Sequence, residues 1–343
     1  MTRTNRRLDP ASLARNTAST SFASLGFEGL QDVCRLSSNR HPPARTMARE
    51  ERDGFPIVYS ETRAQRLDIP DDVCVVCEEQ TCPVVDQIHL PGDDVAWFTP
   101  NLYPITYPHE EAGAESRGIH LVHWSSLRHD KGLGGSDRAT ATALLQHLAR
   151  AEEFLLHHAP SDFPDRGEGH RGHVGIVKNR GHLVGGSVQH DHQQVMLSAA
   201  VPSEPPRIAG LAHRLLDETP EELIIDCTDG AATTLVPSFM RRPLQTFIVP
   251  HGDETGWLHH MEPSALEALA VALAQLTAIT DTVMTERWGE SAWNLILHTG
   301  PGTGPLIEMR PFTQPLGGFE HLGLYLCEEL PATSAGRLRE ALG

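Results

Sequence analysis

The chain has 343 residues, 39% of them apolar, with 28 basic and 45 acidic side chains and a net charge of −17, which suits a soluble globular protein large enough for two domains. Eight arginines and only three acids fall in residues 1–49, so the rest is more acidic still, which argues against a nucleic-acid polymer as partner but leaves room for a nucleotide in a local basic pocket. No apolar run of membrane-spanning length and no apolar signal-peptide core is expected, and six cysteines, two of them in Cys-x-x-Cys, favour a reducing compartment with a metal over a disulfide framework; the expected location is the cytoplasm.

Residues 1–48 are rich in Ser, Asn, Thr, Arg and Pro and read as a loosely ordered tail, with Phe22 to Val33 as the stretch able to dock on the body. The Arg-rich, acid-poor character is shared with transit peptides, a reading ranked below a plain extension. Arg63 and Arg66, three apart, suit a grip on phosphate oxygens, although a solvated pair is the common alternative. Cys74 and Cys77 offer two thiolates at a spacing that fits one tetrahedral zinc, which needs two further ligands. Free thiols or a redox dithiol are the alternatives, the latter lacking its usual βαβ context. Cys82 is a further candidate ligand.

Ser136 is placed to cap a helix whose apolar positions Ala141, Leu144, Leu145, Leu148 and Leu155 follow helical spacing up to Pro160. A hairpin is expected next, from Val174 to Lys178 and from Val188 to Leu197. On a strand, His190, His192 and Gln194 project from one face. Gly185, Gly186 and Ser187 ahead of them allow a tight turn whose N–H groups an anion can approach. A neutral imidazole attacks phosphorus without a strong base, but a bare His-x-His is equally a metal-ligand pair or two unrelated surface histidines.

Pro202 to Pro206 break the chain near residue 200. Beyond it, Pro263 opens a helix with Leu266, Leu269, Leu273, Leu276 and Val283 on one face, closing near Gly289. A second hairpin follows, Trp293 to His298 and Pro305 to Phe312. Helix then hairpin, twice, predicts an architectural repeat with halves at 49–200 and 201–343.

The pattern Gly185-x-Ser187-x-x-His190-x-His192-x-Gln194 resembles the active-site strand of the galactose-1-phosphate uridylyltransferase branch of the histidine-triad superfamily, a branch that includes dinucleoside polyphosphate phosphorylases. The resemblance extends in order through Arg63-Ala64-Gln65-Arg66, Cys74-Val75-Val76-Cys77, Phe98 to Pro104, Val177 to Gly181, Asn294 to Thr299 and Gly318-Phe319-Glu320, and covers most of residues 48–343. It implies an α+β fold of two histidine-triad-like halves, each an antiparallel sheet with helices. It implies a structural zinc on Cys74, Cys77, His129 and His190. His192 is then the nucleophile, and Gln194 holds a non-bridging phosphate oxygen. Arg63, Arg66 and Ser187 add phosphate contacts, Asn179 a strand-fixing amide, Asn101 a contact to base or ribose, and Glu320 a contact to sugar hydroxyls of the acceptor.

Two departures stand out. Gln189, Asp191 and Gln193 replace the Pro, Pro and Gly typical of the uridylyltransferases, and Leu306-Ile307-Glu308-Met309-Arg310 replaces a histidine-rich strand, so a second metal site is not expected. The activity implied is nucleotidyl transfer between a nucleotide sugar and a sugar 1-phosphate through a nucleotidyl-histidine, with a homodimer left open. A phosphorylase acting on a dinucleoside polyphosphate or nucleoside diphosphate compound is the alternative. Outside the branch, a metallohydrolase would need His-x-His-x-Asp-His, which Gln193-Gln194 interrupts. A nonenzymatic zinc-stabilised nucleotide binder is the third class.

Overall fold

The computed structural model describes residues 6–38, 47–49, 56–59, 74–78, 82–109, 112–202, 204–252 and 256–343. They fall into two compact units, one of residues 1–132, 146–176 and 188–208, the other of 133–145, 177–187 and 209–343. The fold is α+β, as the resemblance implies.

In the first unit, strands Asp86–Leu90, Asp94–Pro100, Gly118–Trp124 and His192–Ser198 pair antiparallel in that order. Trp97 sits opposite Trp124, and Trp124 opposite His192; Phe98 sits opposite His123, and His123 opposite Gln193. Because strand side chains alternate, each register line belongs to one face. One face carries Trp97, Val122 and Trp124 into an apolar cluster with Leu8, Leu13, Val84 and Leu127. The other packs Phe98 against Phe22, with ring centroids 5.3 Å apart.

Leu8, Leu13 and Phe22, three members of these faces, come from the segment whose composition suggests a loose tail. Residues 6–38 instead form helices Pro10–Arg15 and Phe22–Ser37. Asp9 caps the first, accepting from the Ala11 N–H with Pro10 in the first turn, and Ser21 caps the second by accepting from the Ser24 N–H. Leu8, Leu13, Phe22 and Leu30 are buried, and each apolar side chain of that size removed from water contributes about 1.5–3 kcal/mol, enough to order a composition that looks unstructured. The Leu8 N–H donates to the Leu127 carbonyl at 2.8 Å, and the Arg6 carbonyl accepts from the His129 N–H at 2.9 Å.

The second unit orders strands Ile224–Thr228, Ala232–Leu235, Thr246–Pro250, Leu306–Pro311 and Trp293–His298, all neighbours antiparallel. The hairpin expected from Trp293 onward is present. Helices Pro263–Trp288 and Pro331–Leu342 pack on it. Contrary to the expectation that no run reaches membrane-spanning length, Pro263–Trp288 is 26 residues long and apolar enough to do so; 67% of its most apolar window is buried inside the protein, as befits a core helix.

The helix expected from Ser136 runs Arg138–His158. Its cap is Asp137, whose carboxylate accepts from the Thr140 N–H at 2.9 Å, while the Ser136 hydroxyl donates back to the Leu133 carbonyl at 2.8 Å. Asp outranks Ser here because Ser136 is already satisfied by a turn.

Candidate active site and metal cluster

The strand expected from Val188 begins only at His192. His190 therefore lies outside the sheet, and alternation does not place it beside His192. It is fully buried next to Cys74, Cys77 and His129, and one ligand atom from each of the four lies within 4.8 Å of the others. The His190 Nε2 donates to the Ser126 carbonyl at 2.7 Å, which leaves its Nδ1 lone pair facing Cys77 Sγ at 3.4 Å and Cys74 Sγ at 3.8 Å. His129 Nδ1 is 3.7 Å from Cys77 Sγ. Zn–S near ~2.3 Å and Zn–N near ~2.05 Å at a tetrahedral angle put sulfur and nitrogen about 3.6 Å apart, so these spacings suit a bound zinc. The Cys77 thiol and backbone N–H, together with His190, hold Cys74 down to about 3 as a thiolate against its burial. Cys77 is pushed up by that neighbouring thiolate and by burial. Cys82 is buried nearby in sequence but outside the four.

The same backbone joins this cluster to the next histidine. His192 Nδ1 lies 2.8 Å from the His190 carbonyl oxygen, which can only accept, so the proton is on Nδ1 and the lone pair on Nε2. The ring stands 5.1 Å from the Trp124 ring, whose indole N–H donates to Thr99 Oγ1 at 3.0 Å. Gln194, half-buried on the same face, has its Oε1 3.2 Å from His120 Nε2. Asn101 reaches the same imidazole, with Nδ2 3.3 Å from His120 Nε2 and Oδ1 accepting from the Tyr103 N–H at 2.8 Å.

The opposite face holds a buried polar chain that sequence reasoning missed. Asp86 Oδ1 is 2.6 Å from His147 Nε2, His147 Nδ1 is 3.1 Å from His123 Nε2, and His123 Nδ1 is 2.9 Å from Gln193 Oε1, which also accepts from the Ser125 hydroxyl at 3.1 Å. Burial pushes Asp86 up to about 6, although the Phe22 N–H and Arg150 oppose it. Burial, with Arg150, pushes His147 down to about 3. This polar chain is assembled from separate elements: sheet register sets His123 opposite Gln193, and helix Arg138–His158 brings His147 to Asp86.

In the second unit, Asn179 Oδ1 accepts from Asn294 Nδ2 at 2.8 Å, and Asn294 Nδ2 also reaches the Val184 carbonyl at 3.2 Å. This ties the strand to the turn behind it. Ser187 is exposed at the end of that turn. The Gly185 and Gly186 N–H groups donate to the His182 and Gly181 carbonyls at 3.1 and 3.0 Å, so the turn spends these amides on itself instead of presenting them to an anion. Gly186 is required by packing: a Cβ there would meet the Gly181 oxygen at 2.7 Å. Glu320 accepts from the Gly317 N–H at 2.8 Å and the Leu326 N–H at 3.3 Å, and backbone hydrogen bonding lowers its pKa. Glu308, on the strand that lacks histidines, would be raised by burial, but His298 and Arg310 outweigh that and hold it down to about 2. Gln245, His298 and two Arg310 nitrogens donate to its two oxygens and use its acceptor positions. Arg63 and Arg66 lie outside the described residues.

No protein-family model and no curated protein matches the chain. Solved structures do. A uridylyltransferase is 20% identical with a TM-score of 0.64, covering 86% of this chain and 98% of that one. An ADP-glucose phosphorylase from Arabidopsis thaliana, solved with bound ADP-glucose, is 19% identical with a TM-score of 0.62 over 88% and 99%. A GalT-like protein from Arabidopsis thaliana is 18% identical with a TM-score of 0.64 over 86% and 98%. The likeness spans nearly the whole of each of these chains, and this protein has the uridylyltransferase-like fold that the His190-x-His192-x-Gln194 segment pointed to.

Proposed function

We propose that the chain is a nucleotidyltransferase that passes a nucleoside monophosphate from a nucleotide sugar to a phosphorylated acceptor through a covalent nucleotidyl-His192. The observation that carries this reading is the hydrogen bond from His192 Nδ1 to the His190 carbonyl, which sets the lone pair on Nε2. That Nε2 attacks the α-phosphorus, the bond to the bridging oxygen breaks, and a sugar 1-phosphate departs with the electron pair. The charge left on the imidazole is shared with the Nδ1–H and the His190 carbonyl. An acceptor phosphate oxygen then attacks the same phosphorus and returns the electron pair to Nε2. Gln194 holds a non-bridging oxygen in both steps through its amide N–H, and a phosphate leaving group needs little help from an acid.

In this reading Cys74, Cys77, His129 and His190 hold a structural zinc, whose chemistry is to fix the His190 backbone. Arg63, Arg66, Asn101, Asn179 and Ser187 serve the nucleotide, and Glu320 serves the acceptor. The six free cysteines suit a reducing cytoplasm. A phosphorylase, with inorganic phosphate as acceptor, is the second reading, favoured by the equal likeness to an ADP-glucose phosphorylase.

Incubation with UDP-glucose, ADP-glucose and GDP-mannose in turn, followed by intact mass measurement, should show an acid-labile adduct of one nucleoside monophosphate that His192→Asn does not form. Chase with a sugar 1-phosphate or with inorganic phosphate separates the two readings. An adduct that survives in His192→Asn would remove the proposed nucleophile.

A further inference from the structure

The environment of His120 bears on which end of the Gln194 amide meets the substrate. His120 lies on strand Gly118–Trp124 and is 3% exposed. Its Nδ1 is 3.0 Å from the Ile105 backbone nitrogen, whose N–H can only donate. Nδ1 is therefore the acceptor, and the neutral ring carries its hydrogen on Nε2. Among the described residues, Asn101 and Gln194 face that nitrogen. Asn101 Nδ2, at 3.3 Å, is itself a donor, because Asn101 Oδ1 is occupied by the Tyr103 N–H. Gln194 Oε1, at 3.2 Å, is the acceptor.

We propose that His120 is a positioning residue for Gln194: it holds the amide oxygen so that the NH2 end is the one presented to the substrate phosphate. The inference rests on the transfer reading for its consequence, but the orientation stands on the hydrogen-bond inventory alone. An amide has nearly the same shape either way round, so packing does not choose its direction. The turned amide would set a carbonyl oxygen against a phosphate oxygen, which repels where the present orientation donates. The Ile105 N–H selects the His120 tautomer, and the tautomer selects the amide.

The test uses two substitutions that both remove the acceptor for the Ile105 N–H and differ in what they offer Gln194. His120→Phe offers nothing, whereas His120→Gln restores an amide N–H near the former Nε2. Formation of the nucleotidyl adduct in a single turnover should slow roughly ten- to hundred-fold in His120→Phe, with the donor concentration for half-saturation little changed. It should recover most of that loss in His120→Gln. In a Gln194→Ala background, His120→Phe should add less than about twofold, since the amide it orients is gone. Equal losses in the Phe and Gln variants, or a full loss in the Gln194→Ala background, would make His120 a packing residue and overturn the proposal. The tautomer is read separately, without nucleotide, from nitrogen-15 spectra of the metal-loaded protein, with the His120 signals identified by their loss in His120→Gln. A proton on Nδ1 overturns the proposal whatever the kinetics; a proton on Nε2 with no adduct on His192 leaves the orientation standing and removes the transfer reading instead.

Discussion

His190 and His192 are joined by a hydrogen bond, Nδ1 of the second to the carbonyl oxygen of the first at 2.8 Å, while the His190 ring belongs to the Cys74, Cys77 and His129 cluster. The candidate metal ligands and the proposed nucleophile thus share one peptide unit. Anything that loosens His190 frees the His192 ring to rotate and to change tautomer.

The first prediction follows from that link. Protein purified without chelator should carry about one zinc per chain by elemental analysis, and Cys77→Ser should lose most of it. Melting should fall by several degrees, at about 2–4 °C per kcal/mol for a domain of ordinary size. His129→Ala, which leaves His190 in place, should weaken metal binding while the adduct still forms at saturating zinc. Full metal content in Cys77→Ser would remove that residue from the ligand set.

The N-terminal segment supplies the second. Leu8 and Leu13 close over the side of the cluster that holds Cys74, Trp97, Trp124 and Leu127. Leu8→Ala should cost about 2–5 kcal/mol in urea unfolding, the usual range for a buried leucine cut back to a cavity. It should also speed zinc loss to a chelator, whereas Leu36→Ala, at 81% exposure, should do neither. Equal, small effects from both would mean that residues 6–17 do not stay docked in solution.

Much of this site was legible in the sequence because its residues are close together there. Cys-x-x-Cys and His-x-His-x-Gln each put their chemistry within a few residues, and period-two alternation paired His192 with Gln194. Alternation failed at His190 because the strand starts at His192 and not at Val188, where its apolar pattern begins, which let the chain bend and turn that ring into the cluster. The residues that were missed come from distant elements. His120, Asp86 and His147 acquire their roles only through sheet register and helix packing, and Asp86 is 61 residues from the histidine it meets. Docking of the N-terminal segment was read only for Phe22 to Val33, because the capping residues Asp9-Pro10 and Ser21 were weighed less than overall composition.

A second copy of the chain is the third prediction. Phe319, Leu322, Leu324, Leu326 and Leu330 are all 66–82% exposed within a dozen residues of the second unit. Apolar side chains exposed this densely along the chain are costly to leave in water and suit an interaction surface. Sedimentation should give a dimer that Phe319→Ser with Leu322→Ser converts to monomer without lowering the melting temperature. A parent that stays monomeric at tens of micromolar would assign the patch to another partner.

The fourth prediction concerns pH. Asp86, raised by burial to about 6, alone would favour the fold below its unfolded value near ~3.9 and lose that advantage as pH rises through about 6. His147, lowered by burial to about 3, does the reverse, favouring the fold above ~6.5 and losing it as pH falls toward 3. Between about pH 4 and 6 the folded pair holds one proton and so does the unfolded pair, so the two slopes cancel. His147→Gln removes one of them. Urea unfolding of that variant should weaken by about 2–3 kcal/mol more than the parent does between pH 4 and 6. A variant as flat as its parent would show that Asp86 ionises there without cost.

Gln194 offers the sharpest separation of transfer from hydrolysis. As an amide it can hold a phosphate oxygen, yet it neither gives a proton to an incoming water nor takes one from it. In Gln194→His, the ring would accept from the His120 Nε2–H that now meets the Gln194 oxygen at 3.2 Å, and would place a titratable nitrogen beside the adduct. Where proton transfer limits the step, such a group is worth about 10²-fold or more. Transfer to acceptor should therefore slow, because the donor that held the phosphate is replaced, while free nucleotide appears faster from the preformed adduct in water without acceptor. Quenching the adduct at intervals and weighing it measures the second rate directly. An adduct that hydrolyses no faster in Gln194→His than in the parent would move the protection against water from Gln194 to whatever covers the adduct, and substitutions around Trp124, whose ring lies 5.1 Å from His192, would be the next to raise that rate.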